Sequence, residues 1–356
     1  MSHQQKVVLS LTVLLQTCNA AHASAGIPPA SAPQPLGVLH KDLLSLFSLL
    51  YAATTKVSLA LKPSHPTYSA SLSPLKDLAD HISALFHCAN LFVSAVHGAT
   101  LVEEVLSLVK DVIESIRTLS KKFLEIETSD SRQSSGQAGD EYMVRTATVH
   151  SVLDRARALS SNNLFAVRKR WLEDAASLKD GFREVGDMVE AAESSEDAED
   201  LDDAMSDDGW GEIGIGPSQK MDPGELERTK KVHGVLRLAH LLHKRVLTDI
   251  LSTSRQPPDN STLDTLSSLS HRLLTTSDEL VSTLYTPQDP NNVGTELRAF
   301  RQIISDFQAS VDKPDALETQ LENLALGSSN GSKWFGTCFV QVYKAIDALD
   351  ATLRPT

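Results

Sequence analysis

Apolar residues recur at alternating steps of three and four through most of the chain, the spacing of one buried helix face. The first stripe is Val7, Leu11, Leu14, Cys18, Ala21 and Ala25, and a second runs Leu36, Leu39, Leu43, Leu46, Leu50, Ala53, Val57 and Ala60 before Pro63 and Pro66 stop it. Ser73 as N-cap and Pro74 at the first helical position predict the start of a third helix, carrying Leu75, Leu78, Ile82, Leu85, Ala89, Phe92 and Val96 up to a turn at Gly98. Leu101, Val105, Leu108, Val112, Ile116, Leu119, Phe123 and Ile126 make the fourth, followed by a polar loop over residues 129–140. Further helices are predicted over 141–159 and 163–189, the latter with Val167, Trp171, Leu178, Phe182, Val185 and Val189 on one side.

Beyond residue 222 the pattern resumes. Pro223 and Glu225 open a helix with Val232, Val235, Ala239, Leu242, Val246 and Ile250 inward, ended by Pro257 and Pro258. Leu263, Leu266, Leu269, Leu273, Leu280 and Leu284 follow on a segment from Thr262 to Tyr285, then Leu297, Phe300, Ile304, Phe307 and Val311. A short piece with Leu317, Leu321 and Leu324 leads to a last helix with Phe335, Phe339, Val342, Ile346, Leu349 and Leu353. No stretch reads as a strand, so the fold class is all-α, in antiparallel bundles.

Between the halves lies a segment of another kind. Residues 190–212 hold eleven carboxylates and no lysine or arginine, a block that repels itself and offers too little apolar surface to offset the entropy of ordering. The chain is therefore expected to comprise an N-terminal bundle over 1–189, an acidic flexible linker over 190–222 and a C-terminal bundle over 223–356. The net charge is −13, but without the eleven acids the chain carries 35 acidic against 33 basic residues. Two nearly neutral bodies argue against nonspecific binding to nucleic acid or anionic lipid, so neither is expected as a partner. Aromatics make up only 5% of residues, which suits helix-on-helix packing. Cys18, Cys88 and Cys338 sit on apolar helical phases without a CxxC, as buried free thiols of a reducing compartment do.

Lys6 followed by an apolar run and small residues from Ala21 to Ala25 has the outline of a signal peptide. The stripe of that segment, which a cleaved peptide does not need, points instead to a first bundle helix. No run of about 18 apolar residues, the length that spans a bilayer, is found.

Candidate chemistry is sparse. Residues 209–214 match GxGxxG but follow carboxylates rather than a strand, so no dinucleotide cofactor is expected. His233, His240 and His243 share a helix, yet no cysteine or acid accompanies them except Asp249, and they read as a hydrated face rather than a metal site. On the same helix Lys230, Arg237 and Lys244 form a basic stripe, interrupted at Gly234 and too sparse for base readout; such a stripe is more often simply a solvated face, and the alternative is that it receives the acidic segment. Ser194, Ser195 and Ser206 lie among acids and are candidate phosphorylation sites, and Trp210 is a candidate interaction residue. The sequons at Asn260 and Asn330 matter only for a secreted chain. No nucleophile motif, metal motif or P-loop occurs, so neither an enzyme nor a cofactor is expected.

Three segments carry a resemblance. Leu178 to Val185 (LKDGFREV) resembles the Lys-Asp-Ala-x-x-Glu helix of the cyclin-D-binding-protein family, also called GCIP. Asp278 to Pro287 (DELVSTLYTP) is similar to its Asp-Asp-Leu-Val-x-x-Leu-Tyr-x-Pro stretch, and the acidic segment with Asp207-Asp208-Gly209-Trp210-Gly211 matches in position. The chain is identified as resembling a divergent fungal-type member, with Gly181 where the family carries alanine. The resemblance implies an all-helical, non-enzymatic protein of nucleus and cytoplasm that binds a cyclin or a helix-loop-helix factor and restrains the cell cycle. It implies no specific binding residue. Two other classes share the periodicity: a vinculin- or talin-like cytoskeletal adaptor, and a secreted helical protein.

Overall fold

The computed structural model describes residues 1–23, 34–128, 137–196, 220–253, 257–312 and 329–353, with side chains for all of these but 22–23, 137–140, 195–196 and 329–332. Among the described residues every regular element is a helix, and the fold is all-α. The chain forms two compact units, Met1–Ala166 and Val167–Thr356.

The first unit contains α1 (His3–Ala23), α2 (Leu36–Ala60), α3 (Tyr68–Asn90), the one-turn α4 (Ser94–His97), α5 (Ala99–Thr128), α6 (Gln137–Ala156) and the opening residues of α7 (Asn163–Glu196). The N-terminal stripe packs as a bundle helix: Val7, Leu11, Leu14, Cys18 and Ala21 are all buried, and α1 lies against α3 and α5. Ala25 falls outside the described residues. All seven apolar positions of α5 from Leu101 to Phe123 are buried as well, so α5 is the spine of this core. By length and composition α2 could cross a membrane, which the sequence pattern did not suggest. In this unit it is a core helix against α3 and α6, with Leu39, Leu43, Phe47, Leu50 and Val57 inward.

Helix α3 begins at Tyr68, not at Pro74, which is buried inside it. The extra turns are held by side chains: the Tyr68 hydroxyl donates to Glu127 at 2.8 Å, and Tyr68 and Leu72 pack on the core. Those contacts outweigh the proline's preference for the first turn, where its missing N–H costs nothing. Gly98 does make the turn. Its φ is +92°, and a Cβ there would stand 2.0 Å from the Asn163 side chain, whose oxygen accepts from Leu101 N at 3.0 Å and caps α5.

The second unit holds the rest of α7 with α8 (Pro223–Asp249), α9 (Asn260–Ser282), α10 (Pro290–Val311) and α11 (Ser329–Leu353). Helix α8 packs on α11, α11 on α10 and α10 on α9. Arg301 to Asp347 (2.5 Å) and Lys231 to the Ala348 carbonyl (3.3 Å) tie α11 to its neighbours. The division at 166/167 departs from the expected boundary at 189, because Val167, Trp171, Leu178 and Val185 bury with the second unit's helices. Helix α7 also runs seven residues past Val189, so the acidic run begins on a helix rather than in a linker. Its remainder up to residue 212, the GxGxxG and the stretch with Leu317, Leu321 and Leu324 lie outside the described residues.

Candidate protein-interaction site

The geometry of the second unit's α7 face starts from a buried polar anchor. Trp171 is fully buried with its ring 4.2 Å from that of His243 and 15° from parallel. The His243 Nε2 lies 2.8 Å from Ser270 Oγ, and the Ser270 hydroxyl donates to Asp174 Oδ2 at 2.5 Å. Since the hydroxyl proton is committed to the carboxylate, His243 must carry its own proton on Nε2, which leaves a buried Nδ1 lone pair without a partner among the described residues. Burial, and then the neighbouring His240, push the His243 pKa down to about 3. Burial raises that of Asp174, opposed by the Ser270 hydrogen bond. In the order imidazole, hydroxyl, carboxylate, the imidazole donates to Ser270 and the carboxylate accepts from it, so His243 is not placed as the base of a Ser-His pair. What the anchor does is lock α7, α8 and α9 in one register.

This corrects the reading of the three histidines as a hydrated face. His243 is buried in the anchor, while Phe182 of α7 stacks on His233 (4.4 Å, 6°) and lies near-parallel to His240 (6.5 Å, 9°). The imidazoles are thus parted between two aromatic partners, and among the described residues no group of three potential ligands is disposed to hold a metal.

One turn beyond the anchor the two segments singled out in the sequence meet. Asp180, Gly181, Arg183 and Glu184 of α7 face Asp278 of α9 and Tyr285 just after it across a groove of about 770 Å³, closed along α7 by Ser177, Asp187, Met188 and Ala191. The Tyr285 hydroxyl donates to Glu184, which holds its phenol pKa up, although the ring remains 57% exposed. Partial desolvation, then the Glu184 and Glu279 carboxylates, raise Asp278. The groove therefore pairs an exposed aromatic ring with carboxylates that repel one another, and a cationic side chain from outside would relieve them.

Tyr285 is placed from behind by a second buried group. Glu225, in the first turn of α8, forms a capping box with Asp222 (2.7 and 3.0 Å) and with its other oxygen accepts Gln288 N at 2.7 Å. Gln288 in turn donates to Thr229 and to the Leu284 carbonyl, both at 3.0 Å. Sequence reasoning used Glu225 only as a helix-start signal. The visible clue was the Asp222 to Glu225 spacing of a capping box, which announces the cap but not the bond to Gln288.

Of the sequence candidates, Lys230 pairs with Glu193 of α7 at 2.6 Å, while Arg237 and Lys244 are exposed on α8. Ser194 is exposed near the end of α7, its hydroxyl donating to the Glu190 carbonyl at 2.8 Å. Ser195 lies in α7, and Ser206 and Trp210 are outside the described residues.

Two sequence families match the chain. The N-terminal Grap2 and cyclin-D-interacting domain matches residues 42–191, and the C-terminal domain of the same name matches residues 206–325. The matches part within the acidic run, and both groove-lining segments fall inside them. No curated protein matches the chain.

Proposed function

Because the chain belongs to the Grap2 and cyclin-D-interacting family, we propose that this helical protein-interaction module works without catalysis as a restraint on cell-cycle progression and transcription. Its partner is a cyclin or a helix-loop-helix factor, bound through the groove between α7 and the end of α9. The supporting observation is the meeting of Glu184 with Tyr285, which brings two segments about 100 residues apart to one exposed surface. An exposed tyrosine beside the Asp278 and Glu184 carboxylates suits a partner helix with an apolar and a basic side. Such a partner places the chain in cytoplasm and nucleus.

The test is binding of the purified chain to a D-type cyclin and to a helix-loop-helix factor by calorimetry. At least one should bind, and Tyr285→Ala and Asp278→Lys should each weaken it tenfold or more with the helical signal unchanged. Binding that ignores both substitutions, or no binding of either protein, overturns the proposal.

A further inference from the structure

Lys179 of α7 and Arg237 and Lys244 of α8 form an exposed cationic face away from the groove. Their closeness shows in the imidazoles between them: after partial burial, Arg237 lowers the pKa of His233, and Lys244 and Lys179 lower that of His240. The Phe182 ring beneath both imidazoles gives the face a flat aromatic floor. Among the described residues none of the three cations has a carboxylate within ion-pair distance, whereas Lys230, next along the same stripe, is neutralised by Glu193 at 2.6 Å. Glu193 belongs to the acidic run that continues past the end of α7 with eight more carboxylates between residues 197 and 212.

The connecting chain is long enough to follow the face. From Lys230 to Lys244 along α8 is about 21 Å, and from Lys244 back to the Asp222 cap about 33 Å, at 1.5 Å per residue. About 16 extended residues cover that path, and residues 197–221 provide about 25. A tethered segment also meets the face at an effective concentration near the millimolar range, which a free acidic partner must match.

We propose that residues 197–212 seat on the Lys179, Arg237 and Lys244 face of their own chain, extending the contact that Glu193 makes with Lys230. Each exposed pair contributes only about 0–1 kcal/mol and is screened over about 10 Å at 0.1 M salt, so the seating is collective and salt-sensitive. It does not depend on the groove reading, whose residues it leaves untouched.

Zero-length carbodiimide coupling of the full chain at low ionic strength, read by peptide mass spectrometry, tests this. Lys179 and Lys244 should couple to carboxylates of residues 197–212 within the monomer, several-fold less in about 0.5 M salt, where the Debye length is only about 4 Å. Arg237→Glu should likewise cut the Lys179 and Lys244 links several-fold while sparing the Lys230 to Glu193 link, which shows that the variant is folded. If the Lys230 to Glu193 link forms alone, the proposal fails. Links found only in covalent dimers would overturn it in favour of a second copy as occupant.

Discussion

His243 stacks on Trp171 at 4.2 Å, and the indole Nε1 donates to the carbonyl of that same histidine at 3.1 Å. One tryptophan thus holds both the ring and the backbone of a residue that must stay neutral to stay buried. The folded histidine takes a proton only near pH 3, the unfolded one near the usual value of about 6.5.

Stability should therefore be complete above about pH 6.5 and fall as the pH drops toward 3, with a slope approaching 1.4 kcal/mol per pH unit from this group. His150, His233 and His240, all lowered chiefly by burial, act in the same direction. Asp174, whose pKa is raised, acts oppositely, adding stability at acid pH that is lost as the pH rises through its folded value. Urea denaturation at pH 7.5 and 5 should show the wild-type chain weaker at pH 5, and His243→Gln should reduce the difference by about 2 kcal/mol. An unchanged difference would place a neutralising partner beside His243.

Gly98→Ala should destabilise the first unit by more than about 2 kcal/mol, since it combines a positive φ with a clash on the Asn163 side chain that caps α5. In an Asn163→Ala background, where the cap on Leu101 is already gone, the added cost should be smaller. A double-mutant cycle by denaturant titration reads the difference, and strict additivity would refute the contact.

Gly181→Ala should stabilise the chain by about 0.5–1 kcal/mol. The helix has room, because a Cβ at this position finds its nearest neighbour, Asp278 Oδ1, at an ordinary 3.8 Å. A lower melting temperature would mean that the groove floor cannot take a methyl group.

The thiols should resist a disulfide reagent at pH 8 in the native chain and react within minutes once it is unfolded. All three are buried, and burial drives Cys18 up to about 12 and Cys88 up to about 11. Fast reaction of Cys18 alone would show that α1 leaves the bundle.

The helices were legible because a buried face repeats. From Leu101 to Phe123 every residue of the stripe is inside, since each helix here has one dry side and the spacing records it. Ends were less legible, as at Tyr68, where a hydroxyl reaching Glu127, 59 residues on, extends α3 upstream of its proline. His243 was misread by its chemistry although its position was informative: it stands four after Ala239 and three before Val246, on the apolar phase. Its partners Trp171, Asp174 and Ser270 come from other helices, and no local spacing announces them. The same holds for Glu184 and Tyr285, whose segments stood out only by resemblance.

Glu225 gives the second unit a shared fuse. Its side chain closes the first turn of α8 and holds the backbone of Gln288 behind Tyr285, so the two cannot come loose separately. Fraying of that one helical turn would disassemble the rim of the groove about 60 residues away, and amide exchange at Leu226 and Gln288 should report a single opening free energy. A binding surface wired in this way is switched off by a local melting event that leaves the bundle standing.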